Sequence, residues 1–250
     1  MSDTTGLARD LNFSGRRVLI TGAGNGFGAA IAERFAEHDA TLVLADVEEA
    51  PLYAIAGRLG AQAHPFDQAD PASVERLADA VGEIDILINN AGILVAKPLL
   101  ATSFNEVRRL IDTDLVGVIQ LMQLFGRGMV ARGRGVILSI GSQTAFSGGE
   151  NRAVYAAAKA AISQLTRAAA VEWGPHGVRV VCLAPGRALT RMTRQTADPA
   201  YAGDRGLKRV PLGRWGTAAE ISKLALLLAS DAAGYVTGET LIADGGYVIG

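Results

Sequence analysis

The sequence predicts an α/β fold, in which helices cover both faces of a doubly wound parallel sheet of seven strands. Short apolar runs alternate with longer amphipathic runs along the 250 residues, which is typical of β-α-β units. Most of the short runs are apolar nearly throughout, as expected of strands buried on both faces. A glycine-rich loop follows the first short run and opens the first amphipathic run, as it does in many sheets of this kind.

Seven apolar runs are interpreted as strands: Arg17–Thr21, Thr41–Ala45, Gln62–Phe66, Ile84–Ile88, Val136–Ile140, Arg179–Leu183 and Thr240–Ala243. Helices are predicted near Gly26–His38, Glu48–Leu59, Pro71–Val81, Phe104–Ala131, Arg152–Gly174 and Ala218–Ser230. The second helix has the weakest pattern, because Pro51 begins it and Gly57 lies inside it. The fourth begins clearly, since Thr102 or Ser103 can cap it with Glu106 in its first turn.

Composition favours one globular domain over residues 1–250, with 49% hydrophobic and 20% charged residues and no linker-like segment. The long irregular segment at about 188–216 is predicted to be a lid or substrate loop. The net charge of −1 gives no electrostatic case for nucleic acid or an anionic membrane. No signal peptide is recognised and no apolar run is long enough to span a bilayer, so we expect a soluble cytoplasmic protein.

Cysteine and histidine usage favours neither disulfides nor a metal site. The single cysteine, Cys182, lies in an apolar run and is interpreted as a small buried hydrophobe. The three histidines, His38, His64 and His176, are scattered without the spacing of metal ligands, so we expect no metal.

The first strand runs into a loop of alternating glycines, Gly22, Gly24, Gly26 and Gly28. Glycines let the backbone turn tightly and approach a pyrophosphate at the N–H groups of the next helix. The spacing departs from G-x-G-x-x-G because Phe27 replaces its last glycine, and a plain glycine turn is the alternative. A kinase-type phosphate loop is disfavoured, since alanines follow Gly28 where a lysine would be needed.

The second strand is followed by Asp46, just over twenty residues beyond the glycine loop. A carboxylate at this position accepts hydrogen bonds from the adenosine ribose hydroxyls and repels a 2′-phosphate. No arginine or lysine lies in the glycine loop or directly after Asp46 to neutralise such a phosphate. The pattern therefore favours NAD over NADP.

Ser142, Tyr155 and Lys159 form a candidate catalytic set. Tyr155 and Lys159 are four residues apart in a predicted helix, so they share one face. A free tyrosine has a pKa near ~10, and lowering that pKa by about three units requires roughly 4 kcal/mol. A neighbouring ammonium acts in that direction. Ser142 follows a strand, where its hydroxyl can hydrogen-bond a substrate oxygen.

Over nearly its full length, the sequence resembles the short-chain dehydrogenase/reductase family. The resemblance rests on motifs in a fixed order: the glycine loop Thr21–Gly28, Asn89-Asn-Ala-Gly92, Ser142, Tyr155-x-x-x-Lys159, Pro185-Gly186 with Thr190, and Asp244-Gly-Gly246. It implies a Rossmann-type sheet in the order 3-2-1-4-5-6-7 and a homotetramer formed through the two long helices.

The resemblance also assigns roles. Tyr155 would be the general acid/base, Lys159 would lower its pKa and bind the nicotinamide ribose, and Ser142 would orient the substrate. The remaining cofactor-binding residues would be Gly22, Asn25, Gly26, Phe27, Gly28, Asp46, Asp67, Gln68, Asn89, Asn90, Ala91, Gly92, Pro185, Gly186, Ala188 and Thr190.

One position departs from the family pattern. Where the family carries a fourth catalytic residue, an asparagine that helps to hold water in a proton relay, this sequence has Asp114. Aspartate accepts hydrogen bonds but lacks the amide donors and can add a negative charge. We expect such a charge to raise the pKa of Lys159, unless Asp114 is neutral.

Polar residues near the catalytic set suit a hydroxylated or acidic small molecule: Gln143, Glu150, Asn151, Arg152, Arg187, Thr193, Arg194, Gln195, Tyr201, Arg205 and Lys208. Local phrases also resemble those of sugar and polyol dehydrogenases in the family. The sequence therefore favours an NAD-dependent oxidoreductase acting on a polyol or sugar. The alternatives are a ketoacyl or other carbonyl reductase and, in another class, a catalytically impaired NAD-binding sensor or scaffold.

Overall fold

Seven parallel strands form one sheet in the computed structural model, which describes residues 4–188 and 207–250. The strands are β1 Arg17–Thr21, β2 Thr41–Asp46, β3 Gln62–Pro65, β4 Ile86–Asn89, β5 Gly135–Ile140, β6 Val178–Pro185 and β7 Thr240–Ala243. Their order is β3-β2-β1-β4-β5-β6-β7, and every neighbouring pair is parallel. The predicted Rossmann-type sheet is confirmed.

The described helices surround this sheet: α1 Thr4–Asp10, α2 Gly26–Ala36, α3 Glu49–Leu59, α4 Pro71–Val81, α5 Phe104–Ile111, α6 Gly117–Arg132, α7 Ala153–Trp173 and α8 Ala218–Ala229. The short α1 was not predicted from the sequence. Elsewhere, predicted and observed ends mostly agree within a residue or two, because glycines and capping residues mark them. Gly60 and Gly133, for example, end α3 and α6 in left-handed conformations.

Two apolar clusters hold the helices on opposite faces of the sheet. One joins α2, α3 and α8, through residues such as Phe35, Leu52 and Ile221, to one set of strand side chains. The other joins α4, α6 and α7, through residues such as Leu77 and Leu121, to the opposite set. Alternate residues of β1 fall into different clusters, as the two-residue period of a strand requires. The sheet is therefore buried on both sides, which explains why its strands read as apolar throughout.

The predicted helix Phe104–Ala131 is interrupted. Its start is as expected, with a capping box between Ser103 and Glu106. A turn of π-helix then spans Asp112–Val116, where the Gly117 N–H donates to the Asp112 carbonyl five residues back. Such bulges are frequent at functional sites. Here the turn holds Asp114 fully buried beside α7, and no helical period in the sequence could have revealed it.

The parallel strands bring their carboxyl ends to one edge of the sheet. The glycine loop, Asp46, Asn89, Ser142 and Gly186 all lie at or just beyond that edge. At the same edge, Ala188 makes a parallel bridge with Gly216, and the Gly216 N–H donates to the Arg187 carbonyl at 2.9 Å. Most of the predicted lid falls between the bridged residues, at positions outside the described part. Within that part, no helix combines the length and hydropathy needed to cross a membrane.

Candidate active site

The glycine loop is packed against the segment that follows β4. Gly22 adopts a positive φ of 63°, and a Cβ there would lie 2.7 Å from Ala91 Cα. A Cβ on Gly28 would lie 2.0 Å from the Gly22 carbonyl oxygen. Side chains are therefore excluded at both positions, and the loop backbone is kept bare at the start of α2.

Hydrogen bonds hold the loop in this shape. The Asn90 side-chain amide donates to the carbonyls of Thr21 and Gly22, both at 2.9 Å. The Thr21 hydroxyl accepts from the backbone N–H groups of Asn90 and Ala91, both at 3.1 Å. Asn25, the N-cap of α2, makes no side-chain cap bond within the described structure. The first N–H groups of α2 are thus left without a side-chain cap beside a bare glycine loop, an arrangement that fits a dinucleotide pyrophosphate.

Asp46 joins the end of β2 to the glycine loop. One carboxylate oxygen accepts from Gly24 N at 2.8 Å, and the other accepts from Glu48 N at 2.9 Å. The residue is mostly buried, and a Cβ on Gly24 would lie 3.0 Å from its Oδ2. These contacts fix the carboxylate where the sequence predicts the adenosine ribose to bind, and leave lone pairs for its hydroxyls.

The three polar residues predicted near the adenosine lie at the ends of β3 and β4. Asp67 forms an ion pair with Arg109 at 3.0 Å. Burial opposes ionisation, but the Ala69 N–H and Arg109 together lower the pKa of Asp67. The Gln68 amide donates to the carbonyls of Thr113 and Ala91 at 2.7 and 3.3 Å, so its side chain braces the π turn.

Asn89, at the end of β4, is buried. Its amide donates to the Ser139 hydroxyl at 3.3 Å, and its Oδ1 has no hydrogen-bond partner in the described structure. A buried acceptor without a partner is uncommon and suits a ligand that donates to it. The hydroxyls of the adenosine ribose would be such donors. The position of Asn89 beside that ribose stays a prediction.

Ser142 lies just beyond β5 and begins a short 3₁₀ turn. Its Oγ accepts from the Thr144 backbone N–H at 3.2 Å and from the Thr144 hydroxyl at 2.9 Å. With two donors already directed at this oxygen, the Ser142 proton is left for a third partner. The side chain is mostly buried at the carboxyl edge. The serine is therefore arranged as a donor.

Tyr155 and Lys159 lie on the same face of α7, near its start. The Lys159 Nζ is 5.6 Å from the centre of the Tyr155 ring. The same Nζ donates to the Ile140 carbonyl at 3.2 Å, which ties the lysine to the end of β5. Lys159 is almost completely buried. The ammonium is thus held beside the phenol at the edge of the sheet that carries Ser142.

Asp114 reaches Lys159 from the π turn. Its Oδ2 lies 3.1 Å from Nζ, close enough for an ion pair although away from the direction of an ideal hydrogen bond. Its Oδ1 accepts from the Ile93 N–H at 2.8 Å. A Cβ on Gly92 would come within 2.8 Å of Asp114 Oδ2 and 3.3 Å of Lys159 Nζ, so the glycine makes room for the pair.

The pairing with Asp114 determines the charge of Lys159. Burial alone would lower the pKa of Lys159, but Asp114 and, to a smaller extent, Tyr155 outweigh burial and raise it. The lysine is therefore protonated at neutral pH, and its pKa moves in the direction that the sequence predicts for a charged carboxylate at position 114. Burial raises the pKa of the Cys182 thiol on β6, and the fully buried side chain belongs to one of the two apolar clusters, which confirms its interpretation as a hydrophobe.

The end of β6 closes the site. The Gly186 N–H donates to the Ala243 carbonyl at 2.8 Å, and a Cβ on Gly186 would lie 2.4 Å from Asp244 Cα and 3.0 Å from Gln143 Oε1. Ala188 is buried at the bridge with Gly216. Gly186 therefore lies against Gln143, which adjoins Ser142, and Pro185 ends the strand just before it. Thr190 lies outside the described residues.

Comparison with known proteins agrees with this arrangement. A family model described as enoyl-(acyl carrier protein) reductase matches residues 22–248. Galactitol 2-dehydrogenase (L-tagatose-forming) of Cereibacter sphaeroides is 40% identical over 243 residues, covering 94% of this chain and 96% of that protein. The 3-oxoacyl-(acyl-carrier-protein) reductase FabG of Escherichia coli strain K12 is 39% identical over 242 residues, covering 94% and 98%.

A solved structure gives the same result in three dimensions. It is described as an NAD(P)-dependent gluconate 5-dehydrogenase from Beutenbergia cavernae with bound NADP at low occupancy, and it superposes with a TM-score of 0.92. The two chains are 36% identical, with 96% of this chain and 100% of the other covered. The chain belongs to the short-chain dehydrogenase/reductase family. It is accordingly an oxidoreductase that acts on CH–OH groups with a nicotinamide cofactor, and its relatives include sugar and polyol dehydrogenases.

Of the residues proposed for substrate specificity in this short-chain dehydrogenase, the structure describes only some. Gln143 is buried, whereas Glu150 and Asn151 are exposed just before α7. Arg187 packs its guanidinium over the rings of Trp215 and Tyr247, at 5.5 and 5.1 Å from their centres. Arg152 is half-buried and Lys208 is exposed. The predicted residues Thr193, Arg194, Gln195, Tyr201 and Arg205 lie outside the described part.

Two residues that hold predicted site residues in place were not predicted from the sequence. Thr144 orients Ser142, and Arg109 pairs with Asp67. Neither carried a signal in the sequence, because each acts through a contact that only the folded chain creates. Among the described residues, no group of histidine, cysteine, aspartate or glutamate side chains could hold a metal ion.

Proposed function

We propose that this chain is an NAD-dependent dehydrogenase that interconverts a secondary alcohol and a ketone, with Tyr155 as the proton-transfer residue. The observation that carries the proposal is the Tyr155–Lys159 pair on α7, held at the same sheet edge as Ser142 and the bare glycine loop. The relatives' chemistry supports the same reaction class.

In the oxidative direction, each described side chain has one task. The Ser142 hydroxyl donates to the substrate oxygen and holds it near Tyr155. The phenolate oxygen of Tyr155 accepts the alcohol proton while hydride leaves the adjacent carbon. The Lys159 ammonium stabilises that phenolate. Bound NAD supplies the hydride acceptor, and reduction of a ketone reverses every transfer.

The preference for NAD rests on Asp46. Its carboxylate, held by the backbone N–H groups of Gly24 and Glu48, would accept from the ribose hydroxyls, and a 2′-phosphate there would meet a negative charge. No lysine or arginine stands in the glycine loop or directly after Asp46 to offset it. The Beutenbergia structure holds NADP, so both cofactors are compared in the assay below.

We propose a polyol or sugar as substrate. The 40% identity to galactitol 2-dehydrogenase supports this class, as does the buried amide of Gln143 beside Ser142. A ketoacyl or other carbonyl substrate is the alternative, supported by 39% identity to FabG.

A homotetramer is proposed from the family resemblance and from exposed apolar side chains on α5 and α7, Phe104 and Val171. One domain over residues 1–250 and a cytoplasmic location stay predictions.

A substrate panel tests the reaction directly. Purified protein would be assayed at 340 nm with polyols, sugars and hydroxy acids against NAD and NADP, and with ketoacyl and simple ketone substrates against NADH and NADPH. The proposal expects the highest kcat/KM with a polyol or sugar and NAD. A clear preference for a ketoacyl thioester would favour the reductase alternative instead.

The role of Tyr155 is tested by Tyr155→Phe, with Tyr53→Phe on α3 as the matched control. We expect the Tyr155 variant to lose at least about a hundredfold in kcat, because general acid/base catalysis contributes that much or more. NADH affinity, followed by fluorescence titration, should change little. Unchanged turnover in Tyr155→Phe would refute the mechanism, and cofactor binding without turnover in the wild type would favour the sensor or scaffold.

A further inference from the structure

The carboxylate of Asp114 occupies the position where the family pattern has the neutral amide of its fourth catalytic residue. It is fully buried, and Lys159 is almost so. The π turn, Gly92 and the Ile93 N–H all position this carboxylate within 3.1 Å of the ammonium. A charge so enclosed persists only with a close partner, and each member of the pair is that partner for the other.

A paired ammonium acts differently on its surroundings from a lone one. Two opposite charges about 3 Å apart form a dipole, whose field falls with distance faster than that of a single charge. At the Tyr155 phenol, the attraction of Lys159 for a phenolate is therefore offset in part by repulsion from Asp114. The neutral amide of an asparagine would leave the lysine's charge without that opposing charge.

We propose that Asp114 is a positioning residue that moves the working pH range of this enzyme upward, by pairing with Lys159 and weakening the support that the ammonium gives to the Tyr155 phenolate. The inference rests on the proposed function of Tyr155. Oxidation needs the phenolate, so its rate should rise with pH through a limb that Asp114 displaces toward alkaline values. Positive charge on oxidised NAD opposes that displacement once the cofactor binds.

Among the described groups around Lys159, Asp114 is the one that brings a negative charge other than the phenolate itself. Of the described ionisable side chains, those that act on Lys159 are Asp114 from the π turn, Tyr155 from its own helix and Cys182 from β6. The thiol of Cys182 is kept protonated by burial. The Ile140 carbonyl from β5 carries no charge. Asp114 is therefore the group whose removal should alter the pH profile.

The test compares kcat/KM for alcohol oxidation against pH in the wild type, Asp114→Asn and Asp112→Asn. Asp112 is a carboxylate of the same π turn that forms no ion pair with Lys159. Asp114→Asn should move the acid limb about one pH unit lower, since one uncompensated charge has an effect of that order at the effective dielectric constant of a protein site. Asp112→Asn should leave the limb in place. A limb that stays put or moves higher in Asp114→Asn overturns the inference.

Failure of the inference can be told apart from failure of the proposed function. If Tyr155→Phe is inactive while Asp114→Asn keeps the wild-type profile, only the role of Asp114 is wrong. If Tyr155→Phe stays active, the proposed mechanism itself is wrong.

A second measurement avoids dependence on a foldable Asp114 variant. The difference in absorbance near 295 nm between wild type and Tyr155→Phe reports the Tyr155 phenolate in the absence of cofactor. We expect no phenolate signal at about pH 7 in the wild type, because Asp114 offsets part of the attraction that the Lys159 ammonium exerts on a phenolate. Phenolate signal at that pH overturns the inference.

Discussion

Asp46 has a structural task that prepares its side chain for the binding task proposed for it. Its two oxygens already accept from the backbone N–H groups of Gly24 and Glu48, so the carboxylate is held still before any ribose arrives. A ligand hydroxyl then meets an acceptor whose ordering entropy has been lost in folding, which strengthens binding. In the proposed cofactor site, the same fixed charge would disfavour a phosphate at the 2′ position of the ribose.

We predict that Asp46→Asn raises KM for NAD about tenfold and narrows the preference for NAD over NADP. A hydrogen bond to a charged group contributes about 1.5–3 kcal/mol, and asparagine keeps the shape but removes the charge. Steady-state kinetics with both cofactors would measure the change, and Glu48→Gln removes a neighbouring charge as a control. An unaltered ratio of kcat/KM values for NAD and NADP would speak against the assignment.

The sequence predicted single residues where their chemistry depends on residue type and spacing. Tyr155 and Lys159 were predicted to share a helix face because a separation of four is local geometry. The partner of Asp114 could be named only through the family resemblance, and its distance from Lys159 depends on a bulge in another helix. Thr144 and Arg109 were missed because their roles depend on side-chain contacts, with Ser142 and Asp67, that form only in the folded chain.

At the scale of elements, two helical glycines differ in how much space the fold leaves for a side chain. Gly57 lies in the exposed interior of α3, and a Cβ there would meet no atom within 4 Å. Gly28 lies in the first turn of α2, and a Cβ there would collide with the Gly22 backbone. Both positions are glycines in the sequence, but the fold tolerates a side chain at Gly57 and excludes one at Gly28.

We predict that Gly57→Ala stabilises the protein by about 0.5–1 kcal/mol, because alanine restricts the unfolded chain and favours the helix. Gly28→Ala should destabilise it by about 1–3 kcal/mol, the usual cost of overpacking, and weaken NADH binding. Chemical denaturation and NADH fluorescence titration measure these effects. Equal stabilities for the two variants would contradict the packing described for the glycine loop.

Element boundaries were predictable because local signals mark them. Asp70 and Pro71 begin α4, and the side chain of Asp70 caps it as expected of that residue pair. The π turn within Phe104–Ala131 was not predictable, since its residues continue an ordinary helical pattern. Its geometry depends on long-range contacts, such as the Gln68 bond to the Thr113 carbonyl and the pairing of Asp114 with Lys159.

On the scale of the whole molecule, the helices of one face bear apolar side chains that the chain itself does not cover. Val171 on α7 is 78% exposed and Phe104 at the start of α5 is 84% exposed. Both helices belong to the pair through which the resemblance implies a tetramer. An interface there would bury these side chains and explain their character.

We predict that Val171→Asp lowers the oligomeric state, because a charge in an apolar interface must be desolvated without a partner. Size-exclusion chromatography with light scattering would measure the mass of wild type and variant. Tyr53→Asp is the control, since Tyr53 is 51% exposed on α3, which packs on the opposite face of the sheet. A variant with the wild-type mass would exclude α7 from the assembly contact.

The bridge between Ala188 and Gly216 bears on how such a protein diversifies. It joins the two ends of the intervening stretch at the carboxyl edge of the sheet. Doubling a closed loop adds only about 0.6 kcal/mol of closure entropy. Insertions in that stretch are therefore expected to cost little free energy, so its length can change while Tyr155 and Lys159 keep their places on α7.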